Sequence, residues 1–180
     1  RHRLGANPVE YITHFTGWWA LAFILITLGV TPLRKRFGMP WLLRLRCMLG
    51  LFACFYASLH FVTYIWLDQF FDWIDIAKDI GKRPFVMLGF AAFVLLIALA
   101  ATSTNAMVRR LGARRWQWLH RLVYVLAGLA VTHFWWLVKK DISEPFTFAV
   151  VLAALLIIRL LLLLRQQRSA SASAVRSQVA

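Results

Sequence analysis

Three of the five histidines, His60, His120 and His133, lie inside long apolar stretches of the chain. An ionisable side chain within a membrane span is costly and by default indicates a functional site. Neutral imidazole is also the usual axial ligand of a b-type haem. These histidines are therefore the first candidates for chemistry, and that chemistry would be one-electron transfer through a haem iron.

The depths of His60 and His133 match. His60 lies eight residues before Asp68, about 12 Å along a helix, and His133 lies six residues before Lys139, about 9 Å. Both helices are predicted to run in the same direction, so the two imidazoles would lie at one level on facing helices. We expect them to be the axial ligands of one haem b. A packing role, in which each histidine bonds to a neighbouring helix, is the alternative.

The third histidine lies at a different level. His120 precedes His133 by 13 residues, which places it about 20 Å nearer the opposite membrane face. The helix that carries His60 has no second histidine opposite it. This inner level could serve a quinone, a flavin phosphate or a second, irregularly ligated haem. The basic residues expected around it are Arg46, Arg115 and Arg121.

The elements that position these side chains are predicted to be membrane helices. Of the 180 residues, 61% are hydrophobic and 16% are charged, against about 45–50% and about 25% in soluble domains. This composition excludes a soluble enzyme, a disulfide scaffold and a disordered chain. A bilayer core needs about 20 mostly apolar residues per helix. Five stretches qualify and predict an all-α transmembrane bundle: 12–31, 41–67, 84–102, 116–138 and 146–164.

The charges indicate the orientation of this bundle. The net charge is +14, from 21 Lys and Arg and seven Asp and Glu. Two of the connections between spans are basic and free of acids, whereas all seven acids fall on the other side of the predicted bundle. Because cytoplasmic loops carry the excess of Lys and Arg, we expect the N-terminus outside and the C-terminus in the cytoplasm. The basic excess therefore indicates orientation and not a nucleic-acid partner.

Two further ionisable side chains lie near the ends of spans. His14 lies at the outer end of the first span, where we expect an interfacial hydrogen bond. Arg159 lies six residues from the inner end of the fifth span, where we expect it to snorkel to the lipid headgroups. Pairing with a haem propionate or another anion is the alternative for Arg159.

Segment 68–83 is predicted to be a short helix in the outer membrane interface. Its four acids, at helical spacing, would share one face: Asp68, Asp72, Asp75 and Asp79. That face is either a solvated surface or a docking surface for a basic partner. Residues 1–164 would form the membrane domain, and the low-complexity segment 165–180 is predicted to be a disordered cytoplasmic tail.

Four stretches of the sequence resemble the MsrQ (YedZ) family, within the ferric reductase-like transmembrane domain superfamily. They read GANPVEYITHFTGWWAL, LGLFACFYASLHFVTYIWLD, RPFVMLGF and ALAATSTNAMVRRLGARRWQWLHRLVYVLAGLAVTHFWW. Members are haem-binding membrane subunits of the bacterial periplasmic methionine sulfoxide reductase system. The resemblance places the family's haem histidines on His60, His120 and His133. The family usually carries one more N-terminal helix, so the resemblance implies that it precedes residue 1.

The resemblance also implies the electron route. Electrons would come from the quinone pool or a cytoplasmic flavin reductase. They would pass through b haem to a periplasmic molybdopterin subunit of the MsrP type, which repairs oxidised methionines. The chain would lie in the bacterial inner membrane, would not be an enzyme by itself, and could bind FMN.

A histidine-based proton or metal transporter is the competing function. Such a transporter is expected to have carboxylates within its spans and helices broken by Pro or Gly at mid-depth. Here every acid falls outside the predicted spans, and the five prolines are predicted at helix ends or in loops. Both patterns disfavour transport.

Overall fold

The computed structural model describes residues 8–138 and 141–179. Some positions used in the predictions lie outside the described residues. They are Lys139, from which the depth of His133 was counted, and residues 1–7 and 180 of the predicted domain and tail. The described part is all-helical and contains no strand, as predicted. The helices are α1 (Pro8–Phe37), α2 (Leu42–Thr63, prolonged by the π-helical turn Tyr64–Asp68), α3 (Trp73–Lys82), α4 (Pro84–Ala101), α5 (Asn105–Leu111), α6 (Ala113–His120), α7 (Val123–Leu137) and α8 (Ser143–Val179).

Four of these helical segments are long and apolar enough to cross a membrane: Pro8–Phe37, Arg44–Asp68, Pro84–Ala101 and Ser143–Arg168. The fourth predicted span, 116–138, is instead divided between α6 and α7. At the break the Arg121 and Leu122 N–H groups donate to carbonyls three residues earlier, which tightens the backbone as in a 3₁₀ turn. With 15 residues, α7 spans about 22 Å. The fourth predicted span, and with it the total of five, stays a prediction, as does the orientation of the termini.

The helices pack as two hairpins. In the first, α1 lies against α2, and in the second, α4 lies against α7, while α8 contacts α1 and α7. The shared core is apolar, and α1 contributes the largest part of it through residues such as Leu21, Leu25 and Leu28. Because α2 carries His60 and α7 carries His133, each hairpin supplies one histidine to the centre of the bundle.

One proline departs from the prediction that all five lie at helix ends or in loops. Pro32 lies inside α1 and is buried. It lacks the N–H that would bond to the carbonyl of Leu28, and membrane helices tolerate this loss when neighbouring groups compensate. Pro32 is close to the basic end of α1, next to Arg34 and Lys35. It is therefore not the mid-depth helix break that a transporter site is expected to contain.

The last helix continues further than the sequence suggested. The backbone of α8 runs from the fifth predicted span to Val179, through the segment for which disorder was predicted. Once a helix has formed, each added residue contributes a backbone hydrogen bond without a new nucleation cost. Helical backbone over these residues is thus a direct continuation of the apolar span.

Candidate functional site

His60 on α2 and His133 on α7 face each other at the centre of the bundle. Their ring centroids are 6.2 Å apart, and the ring planes are inclined by 81°. A metal–imidazole bond is about 2 Å long, and bonds of about 1.3 Å place each ring atom about 1 Å from the ring centre. Two imidazoles on opposite sides of one iron therefore have centroids about 6 Å apart. The observed separation matches this arrangement.

Both imidazoles use the same nitrogen for a hydrogen bond to a neighbouring helix. Nδ1 of His60 lies 2.9 Å from the carbonyl oxygen of Thr13 on α1, and Nδ1 of His133 lies 2.7 Å from that of Phe85 on α4. A carbonyl oxygen only accepts, so each Nδ1 must carry the proton and donate it. Each Nε2 then keeps its lone pair. This is the tautomer that a metal-ligating histidine adopts when its other nitrogen is bonded to a backbone carbonyl.

A cavity of about 340 Å³ surrounds the two histidines, between α1, α2, α4 and α7. This volume is within the range of small-molecule and cofactor sites. Most of its wall is apolar, with side chains such as Ala57, Phe61, Phe93, Ala130 and Phe134. Such a wall excludes water and suits the hydrophobic face of a macrocycle.

The donor set fits haem better than a bare metal ion. Among the residues that the structure describes, no group of three or more His, Cys, Asp and Glu side chains could hold a metal ion. A protein-only zinc site needs three or four such ligands. Haem iron needs only axial ligands from the protein, because the macrocycle supplies the others. Two neutral imidazoles therefore satisfy haem and would leave a bare ion under-coordinated.

Several polar side chains line the outer end of the cavity, among them His14, Arg83, Tyr64 and Asp68. His14 lines it, with Nε2 lying 3.4 Å from Oε2 of Glu144, so its contact is with an acid at the start of α8. Arg83 also lines it, with Nε lying 3.3 Å from Oδ1 of Asp79. Arg83 was not among the residues predicted from the sequence. Its position just before Pro84, at the outer start of a predicted span, would have placed it at the outer end of the bundle, on the outer side of His133.

The four acids of segment 68–83 do not share one helical face, which corrects the sequence prediction. Asp68 ends the π-helical turn after α2, and the chain then turns through Phe70 and Phe71, both at positive φ. Asp72 caps α3, with Oδ1 accepting from two backbone N–H groups.

Asp79 is largely buried, with 16% of its side chain exposed, and it accepts from Gln69 at 3.2 Å. The exposed acids without a capping role are Asp68 and Asp75, of which Asp75 pairs with Lys78 at 2.9 Å. Only part of the predicted acidic surface is therefore presented to solvent.

His120 lies at the end of α6, outside the cavity lining. Its ring packs against that of Trp116, with centroids 4.0 Å apart and planes inclined by 30°, and its Nε2 lies 3.4 Å from Oγ1 of Thr102. Trp116 Nε1 donates to the Thr102 carbonyl at 2.8 Å. Arg115 and Arg121 are exposed. Of the three arginines expected around His120, Arg46 is the one whose charge acts on it.

Arg46 belongs to a cluster of basic side chains drawn from three helices. Arg34 on α1, Arg159 on α8 and Tyr124 on α7 lie close enough to Arg46 for electrostatic interaction. The Arg159 guanidinium carbon lies 4.7 Å from the centre of the Tyr124 ring. Arg159 therefore contacts a ring of the neighbouring helix α7, and its snorkelling to the headgroups stays a prediction. Within the described residues, Nε of Arg34 and the hydroxyl of Tyr124 are buried without a hydrogen-bond partner.

Comparisons with known proteins agree with this architecture. Residues 16–131 match the model of the "Ferric reductase like transmembrane component" family. This range covers His60 and His120 and ends two residues before His133.

Three similar proteins carry the name "Protein-methionine-sulfoxide reductase heme-binding subunit MsrQ". The protein of Herminiimonas arsenicoxydans is 58% identical over 153 residues, which is 84% of this chain and 70% of the relative. That of Ralstonia nicotianae is 56% identical over 153 residues, again 84% of this chain and 70% of the relative. That of Bordetella pertussis is 52% identical over 152 residues, 83% of this chain and 73% of the relative. The resemblance drawn from the sequence is confirmed, and the chain belongs to the MsrQ family of ferric reductase-like transmembrane proteins.

Proposed function

We propose that the chain is a haem-binding, electron-transfer subunit that serves a methionine sulfoxide reductase. The observation that carries this proposal is the facing pair His60 and His133, each with Nδ1 bonded to a backbone carbonyl of a neighbouring helix. The relatives' printed names, which call them haem-binding subunits of such a reductase, support it.

The protein's part in this function is to bind, orient and shield one haem b. The haem supplies an iron that accepts and releases one electron. His60 and His133 would bind it through Nε2, and each Nδ1–H bond fixes the ring orientation and makes the imidazole a stronger donor. Arg83, at the outer end of the cavity, offers a positive charge to the propionates. The chain itself makes and breaks no substrate bond.

The proposed route runs from the cytoplasmic side to the periplasm of a bacterial inner membrane. Electrons from the quinone pool or a cytoplasmic flavin reductase would arrive at the level of His120. They would leave from the haem between His60 and His133 to a periplasmic molybdopterin subunit of the MsrP type. The sequence-derived orientation, with the acidic segments outside, supports this direction.

The level of His120 would hold the second redox group on this route. The cluster of Arg34, Arg46 and Arg159 presents positive charge together with the unpartnered Tyr124 hydroxyl. An anionic group would balance the positive charge and accept a hydrogen bond from the Tyr124 hydroxyl. The propionates of a second haem or the phosphate of FMN have this chemistry, and a quinone could instead bond to His120 or Tyr124.

Electron transfer in a reconstituted system tests the proposed function. The purified, haem-loaded protein in lipid nanodiscs is reduced with a quinol, and the catalytic reductase subunit is then added with methionine sulfoxide. With no quinol in excess and the catalytic subunit in trace amount, we expect the haem to return fully to the oxidised spectrum only when subunit and substrate are both present, two haems being oxidised for each sulfoxide reduced. Haem that stays reduced in the complete mixture would contradict the proposal.

The inclination of the two imidazole planes predicts a spectroscopic signature. If the two rings keep their inclination of 81° when haem is bound, the iron orbitals that share the unpaired electron would be nearly equal in energy, which would spread the g values widely. Electron paramagnetic resonance of the oxidised protein should therefore show a low-spin signal with one unusually large g value. A signal with closely spaced g values would indicate parallel planes and contradict this geometry.

The two exposed acids of the outer segment predict a docking effect. Neutralising them with Asp68→Asn and Asp75→Asn should slow reoxidation by the catalytic subunit about tenfold at low salt, since charges at an interface mainly set association rates. The rate should also become less dependent on salt. Asp72 and Asp79 are left intact because they hold α3 and Arg83.

Asp141→Asn is the matched control for this docking test. Asp141 is an exposed acid outside segment 68–83, and it caps the N–H of Ser143, a contact that Asn can keep. Equal rates for the double variant, the control and the parent at low salt would show that these acids form only a solvated surface.

A further inference from the structure

Two glycines lie directly against the two facing histidines. A methyl group built on Gly17 of α1 would lie 2.9 Å from Nδ1 of His60 and 3.0 Å from its Cε1. One built on Gly89 of α4 would lie 2.7 Å from Nδ1 of His133 and 2.8 Å from its Cε1. Contacts this short between a Cβ and a ring atom are not tolerated. Each imidazole therefore occupies the space that any other residue would fill with its side chain.

Each glycine follows, by four residues, the carbonyl to which the histidine bonds. Gly17 comes four after Thr13, and Gly89 comes four after Phe85. In an α-helix the N–H of the later residue donates to the carbonyl of the earlier one. The carbonyl oxygen has a second lone pair, and here the histidine of the other helix reaches it along the groove beside the later residue. A glycine at that position leaves the groove open.

The same arrangement occurs in both hairpins at nearly the same spacing. The bonded residue and the histidine are 47 positions apart in the first hairpin and 48 in the second. The segments around the two histidines also share the pattern Ala-x-x-His-Phe, at 57–61 and 130–134. Because the same glycine–carbonyl–histidine arrangement occurs in both hairpins around one cavity, neither glycine contact is explained by chance.

We propose that Gly17 and Gly89 are positioning residues for the two haem ligands. Each glycine, with the carbonyl four residues before it, forms a cradle that fixes the plane and the Nδ1–H tautomer of one imidazole. The inference rests on the proposed function where it concerns haem, and on the packing of the histidines alone where it concerns the cradle. A methyl group in either cradle displaces the ring and weakens its Nδ1–H bond.

Alanine substitution of each glycine tests the effect on haem. Gly17→Ala and Gly89→Ala should each lower haem affinity about tenfold or more, as loss of an outer-shell partner does at metal sites. Haem that remains bound should show a more positive midpoint potential, because an imidazole with a weaker Nδ1–H bond is a poorer donor to oxidised iron. The largest g value of the oxidised protein should shift as well, since the ring plane moves.

Gly50→Ala and Gly128→Ala are matched controls. Gly50 lies on α2 with His60, and Gly128 lies on α7 with His133, but an added Cβ meets nothing within 4 Å at either position. Ala is the better helix former, so neither control should lose haem or change its potential. If the control variants and the cradle variants behave alike, or if the cradle variants keep the parent's affinity, potential and g values, the proposal is overturned.

A double-mutant cycle without haem keeps the test decisive even where a single variant is unstable. The thermal unfolding of the apo-protein is compared for the parent, Gly17→Ala, His60→Ala and the double variant. Gly17→Ala should lower the Tm of the parent but not that of His60→Ala, because the clashing ring is then absent. An equal loss in both backgrounds would show that Gly17 serves something other than His60. The cycle with Gly89 and His133 repeats the test independently.

The two sets of measurements separate the inference from the proposed function. If the parent protein binds no haem but the cycles show coupling between each glycine and its histidine, the cradles stand and the haem function fails. If haem binds between the histidines but the cycles show no coupling, the function stands and the cradles fail.

Discussion

Replacing His60 with Ala is expected to remove the low-spin haem, and His133→Ala is expected to do the same. Each imidazole would supply one of the two axial bonds, and the wall beside the pair is mostly apolar; the other histidine of the lining, His14, contacts Glu144 at the outer end. We expect haem content to fall at least tenfold in either variant. Tenfold is the lower end of the loss in metal affinity when a group that hydrogen-bonds to a metal ligand is removed. The measurement is haem per protein after purification from haem-supplemented cells.

His120→Ala is the control for the ligand variants. His120 lies outside the cavity lining, so this variant should keep the low-spin signal of the His60–His133 pair. A loss of about half of the haem, with the g values of the remaining haem unchanged, would place a second haem at the inner level. Full retention of haem in both His60→Ala and His133→Ala would refute the ligand pair.

Arg46→Gln should strongly slow the arrival of electrons from the donor side. Removing one partner of a buried charged contact costs about 2 kcal/mol or more, which corresponds to about 30-fold in rate or affinity. Arg46 is half-buried among Arg34, Arg159 and Tyr124, where an anionic group would bind. The measurement is the rate of haem reduction by a quinol and, separately, by a flavin reductase with FMN.

Arg44→Gln is the matched control for Arg46→Gln. Arg44 lies on the same helix and carries the same charge, but it is exposed. A 30-fold loss in both variants would point to general surface electrostatics and not to a site. Slow reduction by only one of the two donors would identify which group binds at the arginine cluster, and unchanged rates with both donors would contradict an anion site there.

The matching depths of the two facing histidines could be predicted because they depend only on the hydropathy and the residue count of each span. Hydropathy locates the apolar spans, and counting residues from the span ends at a fixed rise per residue places His60 and His133 at one depth. Their contact at 6.2 Å agrees with that depth calculation. The all-helical architecture was predictable for the same reason.

Features that depend on contacts between helices could not be read from the sequence. Gly17 and Gly89 are ordinary glycines of apolar helices until the neighbouring histidine is placed against them. The contact of the Arg159 guanidinium with the Tyr124 ring of α7 could not be read from the position of Arg159 on its own helix. The sequence contained these residues without indicating their partners.

The outer segment shows how backbone detail changes a surface. Helical spacing predicted one acidic face from Asp68 to Asp79, but α3 begins only at Trp73. Asp72 is therefore a cap, a role worth about 1 kcal/mol, and Asp79 turns inward to Arg83. Periodicity alone does not reveal where a helix starts, and the assignment of each acid depends on that start.

The central claim is that His60 and His133 hold one haem b between them. Its most direct test is the reduced-minus-oxidised visible spectrum of the purified, haem-replete protein, recorded with and without carbon monoxide. We predict a six-coordinate, low-spin b-type spectrum that carbon monoxide leaves unchanged, because both axial positions are filled by imidazole. A spectrum without b-type bands, or one in which carbon monoxide shifts all of the bands and leaves no six-coordinate haem, would contradict it.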